Sequence, residues 1–132
     1  MRIRSLSPVL IPLLAAGALG LSACGGDDDS SSSGNTVAAD VDLEVVALDG
    51  IRWEKDEYSV AAGSITAALR NASSLPHNLH FIDANGVENP TILEAPSKGD
   101  VDTGVYQLEA GTYTLICSVP GHSNMKATLT VS

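Results

Sequence analysis

The residues best suited to chemistry lie near the C-terminal end, in Cys117-Ser118-Val119-Pro120-Gly121-His122-Ser123-Asn124-Met125, a Cys-x4-His-x2-Met spacing. A second imidazole stands far upstream, in Pro76-His77-Asn78. One thiol, two imidazoles and one thioether make a mixed soft and borderline donor set. Zinc sites are built from Cys, His and carboxylate and seldom recruit a thioether. Two His and one Cys with a weak fourth Met suit copper instead: thiolate and thioether hold Cu(I), and imidazole suits Cu(II). A rigid site that serves both oxidation states reorganises little, so single electrons move quickly. A catalytic reading fares worse. A Cys–His nucleophile pair needs a third, orienting group; none is evident, and Met125 would have no part.

These residues must be brought together by strands. From Val41 onward the apolar residues recur at every second position. Val41, Leu43, Val45 and Ala47 alternate with Asp42 and Glu44, and Asp49-Gly50 is a turn signal. Tyr58 to Ala61 reads as a short extended piece before Ala62-Gly63. Ile65, Ala67 and Leu69 form the next face, followed by Leu79 and Phe81 and the turn Asp83-Ala84-Asn85-Gly86. Residues 86–100 are rich in Gly, Pro and charge and read as a long loop. Tyr106 and Leu108, then Tyr113, Leu115 and Cys117, then Ala127, Leu129 and Val131 complete the pattern. No long stretch has helical periodicity. The chain is therefore expected to be all-β, a Greek-key β-sandwich of seven to eight strands. With one Trp, three Tyr and one Phe, its core must be mostly aliphatic. Parity places His77 on the inward face with Leu79 and Phe81, and Cys117 inward at the end of its strand. Both can then meet a loop carrying His122 and Met125 at one end of the sandwich. Parity sends His80 outward, to the surface, and Trp53 reads as packing the core or its rim.

The first 23 residues read as an address. Arg2 and Arg4 precede an apolar run from Leu6 to Leu21, broken by Pro8, Pro12 and Gly17. That run is short for a membrane span, which needs about 20 apolar residues, and fits a secretory signal. It ends in Leu21-Ser22-Ala23-Cys24, which resembles a bacterial lipobox. The resemblance implies cleavage before Cys24 and lipidation of its thiol. Residues 25–36, GGDDDSSSSGNT, contain nothing to bury and read as a flexible tether. The expected organisation is thus a lipoprotein signal peptide over 1–23, a lipidated Cys and acidic linker over 24–39, and one folded domain over 40–132. Asp27, Asp28 and Asp29 read as solvating charge. With Cys24 lipidated, Cys117 is left as an unpaired thiol in an oxidising compartment, where metal ligation gives it a role.

Taken together, the folded part resembles the cupredoxins, the blue copper proteins typified by plastocyanin, amicyanin and azurin. The resemblance rests on several motifs: Ala62-Gly63 before a strand ending in Arg70-Asn71, then His77-Asn78, and Gly111-Thr112-Tyr113 four residues ahead of Cys117. Pro120-Gly121-His122 and Met125 complete it. It implies one type 1 copper ion, with His77, Cys117 and His122 as equatorial ligands and Met125 as the axial one. Asn78 is implied to tie the two ligand loops together by hydrogen bonds, and His122 to be the electron port. Only Ser123-Asn124 separate His122 from Met125, where members of the family often have three or four residues. The larger copper enzymes of this fold need further His ligands; this chain has 3 His in 132 residues.

Composition limits the partners. The 16 Asp+Glu against 7 Lys+Arg give a formal charge of −9, which excludes a nucleic-acid partner. Loss of residues 1–23 removes two arginines and no acid, making the balance more negative still. The expectation is a monomeric, non-enzymatic electron carrier on the outer side of a bacterial membrane, held there by its lipid. It would meet a donor and an acceptor protein, its acidity steering it to basic partner patches. The competing expectation is a copper carrier that delivers the metal and not electrons.

Overall fold

The computed structural model describes residues 37–132; the leader, Cys24 and residues 25–36 of the tether lie outside the described residues. Nine strands follow in chain order: β1 (Leu43–Leu48), β2 (Arg52–Trp53), β3 (Glu57–Val60), β4 (Gly63–Asn71), β5 (His77–Ile82), β6 (Leu93–Ala95), β7 (Val101–Leu108), β8 (Gly111–Ile116) and β9 (Lys126–Val131). They form two sheets, ordered β2-β1-β4-β7 and β3-β9-β8-β5-β6. Two pairs, β1 with β4 and β3 with β9, are parallel. The other strand pairs run antiparallel.

The period-two pattern decides which faces meet. Leu43, Val45 and Ala47 of β1, Ile65, Ala67 and Leu69 of β4, and Tyr106 and Leu108 of β7 supply one inner face. Leu79 and Phe81 of β5, Leu115 of β8, and Ala127, Leu129 and Val131 of β9 supply the other; all are buried in one cluster. Phe81 and Tyr106 stack across the sandwich with ring centroids 4.2 Å apart. Burial of each large side chain contributes about 1.5–3 kcal/mol, so a mostly aliphatic core suffices. Trp53 is buried with the core.

Two details depart from the sequence reading. The described residues form nine strands and not seven or eight; β2 and β6, only 2 and 3 residues long, are the ones too short to read. β6 falls inside the stretch read as a loop. Its Leu93-Glu94-Ala95 alternates buried, exposed, buried, a pattern too brief to stand out among Pro, Gly and charged neighbours. It pairs with the first half of β5, matching His77 with Ala95 and Leu79 with Leu93. The strand therefore flanks the residue on which the site depends.

Candidate metal centre

Two antiparallel pairings set the positions. β5 and β8 match His80 with Ile116 and Phe81 with Leu115. Continuing that register brings Asn78 opposite Ser118 and places His77 and Cys117 on the same inward face. β8 and β9 match Ile116 with Lys126, and the next pair, Cys117 and Met125, is joined by Cys117 N–H donating to Met125 C=O at 3.3 Å. The connection between them is two successive turns. His122 N–H donates to Val119 C=O and Met125 N–H to His122 C=O, each at 2.9 Å. In the first turn Pro120 occupies the second position and Gly121, with φ +88°, the third. This is the proline–glycine arrangement of a type II turn, whose third residue must be left-handed. The second turn spans just the two residues Ser123 and Asn124, so the short His-x2-Met gap is what a turn of this kind requires.

The result is a closed set. His77, Cys117, His122 and Met125 are 2%, 3%, 5% and 1% exposed. One donor atom from each of His77, Cys117 and His122 lies within 4.8 Å of the others. The Cys117 Sγ is 3.9 Å from His77 Nδ1 and 3.6 Å from His122 Nδ1. The imidazole rings have centroids 4.8 Å apart, and Trp53 lies beside His77 at 6.3 Å.

The tautomer of His77 follows from its other nitrogen. Nε2 sits 2.7 Å from the Ser73 hydroxyl, so with Nε2–H donating there, Nδ1 presents its lone pair to Cys117. Ser73 is itself held. Its N–H donates to Asn71 Oδ1 at 2.8 Å, and its hydroxyl accepts Leu75 N–H at 3.1 Å. Asn71, wholly buried, donates from Nδ2 to Leu75 C=O at 2.7 Å and to Ala95 C=O at 2.8 Å. Thus the short loop before β5 is pinned to β6 while it orients the imidazole. Burial pushes the His77 pKa below the ordinary imidazole range, and repulsion from His122 pushes it further the same way. Its neutral, metal-binding form therefore persists to lower pH.

Asn78 lies between the two ligand strands. Its Oδ1 accepts Ser118 N–H at 2.8 Å and its Nδ2 donates to Ser118 Oγ at 2.9 Å. It thereby fixes the residues next to His77 and next to Cys117.

The donors fit a metal in spacing as well as type. Metal–nitrogen and metal–sulfur bonds of about 2.1 and 2.3 Å, splayed at a trigonal angle, separate the two donors by about 3.8 Å. The two Cys117–imidazole distances bracket that value. A thiolate with two imidazoles and a buried thioether nearby is a copper set.

Comparison with known proteins agrees. The model of the copper binding proteins of the plastocyanin/azurin family matches residues 39–132. The chain belongs to that family. Solved structures of the same fold include auracyanin from Roseiflexus castenholzii, with TM-score 0.59, 21% identity, 73% of this chain and 99% of that one covered. Auracyanin A from Chloroflexus aurantiacus gives TM-score 0.59 and 21% identity over 67% and 96% of the two chains. A purple cupredoxin from Nitrosopumilus maritimus gives TM-score 0.54 and 26% identity over 69% and 100%. No curated protein matches the sequence. As a cupredoxin the chain takes copper at a type 1 site, where His77, Cys117 and His122 would be the close ligands and Met125 the weak one.

Two parts of the site lie beyond the sequence pattern. Ser73 bonds His77, and its one signal in the sequence is a hydroxyl four residues before that histidine on a turn-prone run. His80 is not the surface residue that parity suggested but is 7% exposed. It alternates with the core residues Leu79 and Phe81 and hydrogen-bonds to Glu88, from the β5–β6 connection, and to Ser118. Strand parity gives a direction and is blind to a loop folding over the outer face.

Proposed function

We propose that this protein is a lipid-anchored, extracytoplasmic carrier of single electrons. The observation that carries the reading is the enclosure of the complete donor set, with exposures of 1–5%, by a hydrogen-bonded loop and strand pair. Copper held there supplies a one-electron couple. The protein's part is to keep the donors from moving between the two states. Ser73 fixes one imidazole, two turns fix the other, and Asn78 fixes the strands relative to each other. A carrier that hands over its metal needs ligands a partner can reach, and buried ligands favour electron transfer over that alternative. His122, on the outer loop between exposed Gly121 and Ser123, is the nearest ligand to solvent by burial. With exposed Pro120 two residues before it, it offers partners a small apolar contact.

The anchoring half of the proposal is supported by Leu21-Ser22-Ala23-Cys24 and the polar tether behind it. Two or three acyl chains hold a protein to a bilayer firmly where one does not. The acidic balance suits a basic partner patch, and the domain acts as a monomer. Electron transfer is tested by rapid mixing of the Cu(I) protein with a one-electron oxidant and, separately, with a metal-free Cu(I) chelator. Fast oxidation with the copper retained supports the carrier of electrons, and ready loss of copper to the chelator with slow oxidation supports delivery. Cys24→Ser is expected to move the protein from the membrane to the soluble fraction; retention at the membrane would refute the lipid anchor.

A further inference from the structure

A hydrogen-bond chain leaves the metal centre and ends on a carboxylate. Asn78 Oδ1 accepts Ser118 N–H, so the amide orientation is settled and Nδ2 must be the atom donating to Ser118 Oγ. The Glu88 carboxylate can only accept, so His80 Nδ1 carries the hydrogen on that side. In the neutral imidazole Nε2 then offers a lone pair, and the Ser118 hydroxyl, 2.9 Å away, donates to it. Asn78, Ser118, His80 and Glu88 thus form one line of donors, rooted beside His77 and Cys117. The His80 side chain is 9% exposed and that of Glu88 is 47% exposed. The sequence serine–histidine–carboxylate imitates a nucleophilic triad. However, the Ser118 N–H that an oxyanion site would use is already given to Asn78, so the assembly suits positioning and not acyl transfer.

We infer that His80, oriented by Glu88, is a positioning residue for the copper site. It locks the Ser118 rotamer and through Ser118 and Asn78 sets the placement of Cys117 relative to His77. Asn78 alone could satisfy Ser118 with either hydroxyl rotamer. With His80 as the acceptor, only the rotamer that leaves a lone pair for Asn78 Nδ2 remains. The lone-pair geometry around Ser118 thus sits one residue from the thiolate. Partners bonded to a ligand itself typically change metal affinity by about 10–100-fold when removed; His80 acts one bond further out, through Ser118, so its effect should lie at or below the lower end of that range.

The inference rests on the copper reading, which the unaltered chain tests separately by its own spectrum. The experiment uses the full chain in detergent, titrated with Cu(II) against a chelator, with the thiolate-to-copper absorption recorded. His80→Phe keeps the bulk and removes both bonds. It is expected to lower Cu(II) affinity by up to about 10-fold, the lower end of the range for partners bonded to a ligand itself, and to displace the absorption band. His80→Gln, which can still accept from Ser118, is expected to restore most of both. Glu88→Leu, at an exposed position, should reproduce the band shift in milder form, and Glu88→Gln, which keeps an acceptor for Nδ1–H, should not. Glu88→Leu also serves should His80→Phe fail to fold. If the unaltered chain shows the band, and His80→Phe and Glu88→Leu match it in affinity and band position, the inference is overturned. It is equally overturned if His80→Gln is no better than His80→Phe, since packing and not hydrogen bonding would then be at work.

Discussion

Replacing Ser73 by Ala removes a single buried oxygen with consequences that can be worked out. The Ser73 hydroxyl takes the Nε2–H of His77 at 2.7 Å and the N–H of Leu75 at 3.1 Å. Ser73 is 1% exposed and His77 2%, so water cannot replace the hydroxyl at His77 without the loop opening. Leu75 is 40% exposed, and its N–H can turn to solvent. One buried donor is therefore stranded, at a cost of about 1–3 kcal/mol. In a domain of this size 1 kcal/mol moves Tm by about 4–8 °C, so a fall of about 4–24 °C is expected in the metal-free protein. Copper affinity should fall as well, because His77 is free to turn its Nδ1 from Cys117. A double-mutant cycle with His77→Phe isolates the bond, since that variant has no Nε2–H to strand. The expected coupling is about 0.5–3 kcal/mol, the range for residues in contact. Thermal and urea unfolding of the four proteins measure it. Additivity within about 0.3–0.5 kcal/mol, the limit for independent sites, would refute the claim that Ser73 orients the imidazole.

Other consequences follow from the same structure. Met125→Leu preserves buried volume and should cost less than about 1.5 kcal/mol. It should keep copper and its colour while raising the reduction potential, because loss of a donor disfavours the more highly charged ion; voltammetry showing no change would remove Met125 from the site. Burial, with the nearby Asp102 carboxylate adding to it, pushes the Tyr106 phenol far above its ordinary range. The folded form thus keeps a proton that the unfolded chain loses near pH 10, so this part of the stability is present below that pH and lost as pH rises beyond it. Tyr106→Phe, which gives up one 3.2 Å hydrogen bond to Thr91 C=O, should flatten the alkaline fall in Tm; an unchanged fall assigns it to other groups. A Cβ at Gly104 would meet Leu93 and Thr91 side chains at 3.0 Å. Gly104→Val is therefore expected to destabilise by about 1–3 kcal/mol through β6, whereas an unchanged Tm would show that β6 yields freely.

Much of this was legible in the sequence because the sandwich is written in parity. Leu79, Phe81 and His77 share a face in the strand and in the sequence alike, and the same holds for Tyr113, Leu115 and Cys117. A two-fold period survives in a single chain because each inward residue is selected by the same core. What could not be read was set by loops. β6 is too short to show a period, and His80 is covered by a segment eight residues away in sequence. Ser73 acts through one oxygen, with no pattern to announce it. Asn71 illustrates the same limit: in the sequence it is only the residue that ends a strand, and in the fold it is the buried tie between the His77 loop and β6.

Whether Cys117, His77 and His122 hold copper together is decided by a single titration. Cu(II) is added to one equivalent, and the visible spectrum is recorded for the unaltered chain and for Cys117→Ser. The expected result is an intense thiolate-to-copper band that saturates at one equivalent, vanishes on reduction, returns on oxidation and is missing from Cys117→Ser. A chain that takes up copper without that band, or whose band survives in Cys117→Ser, would contradict it.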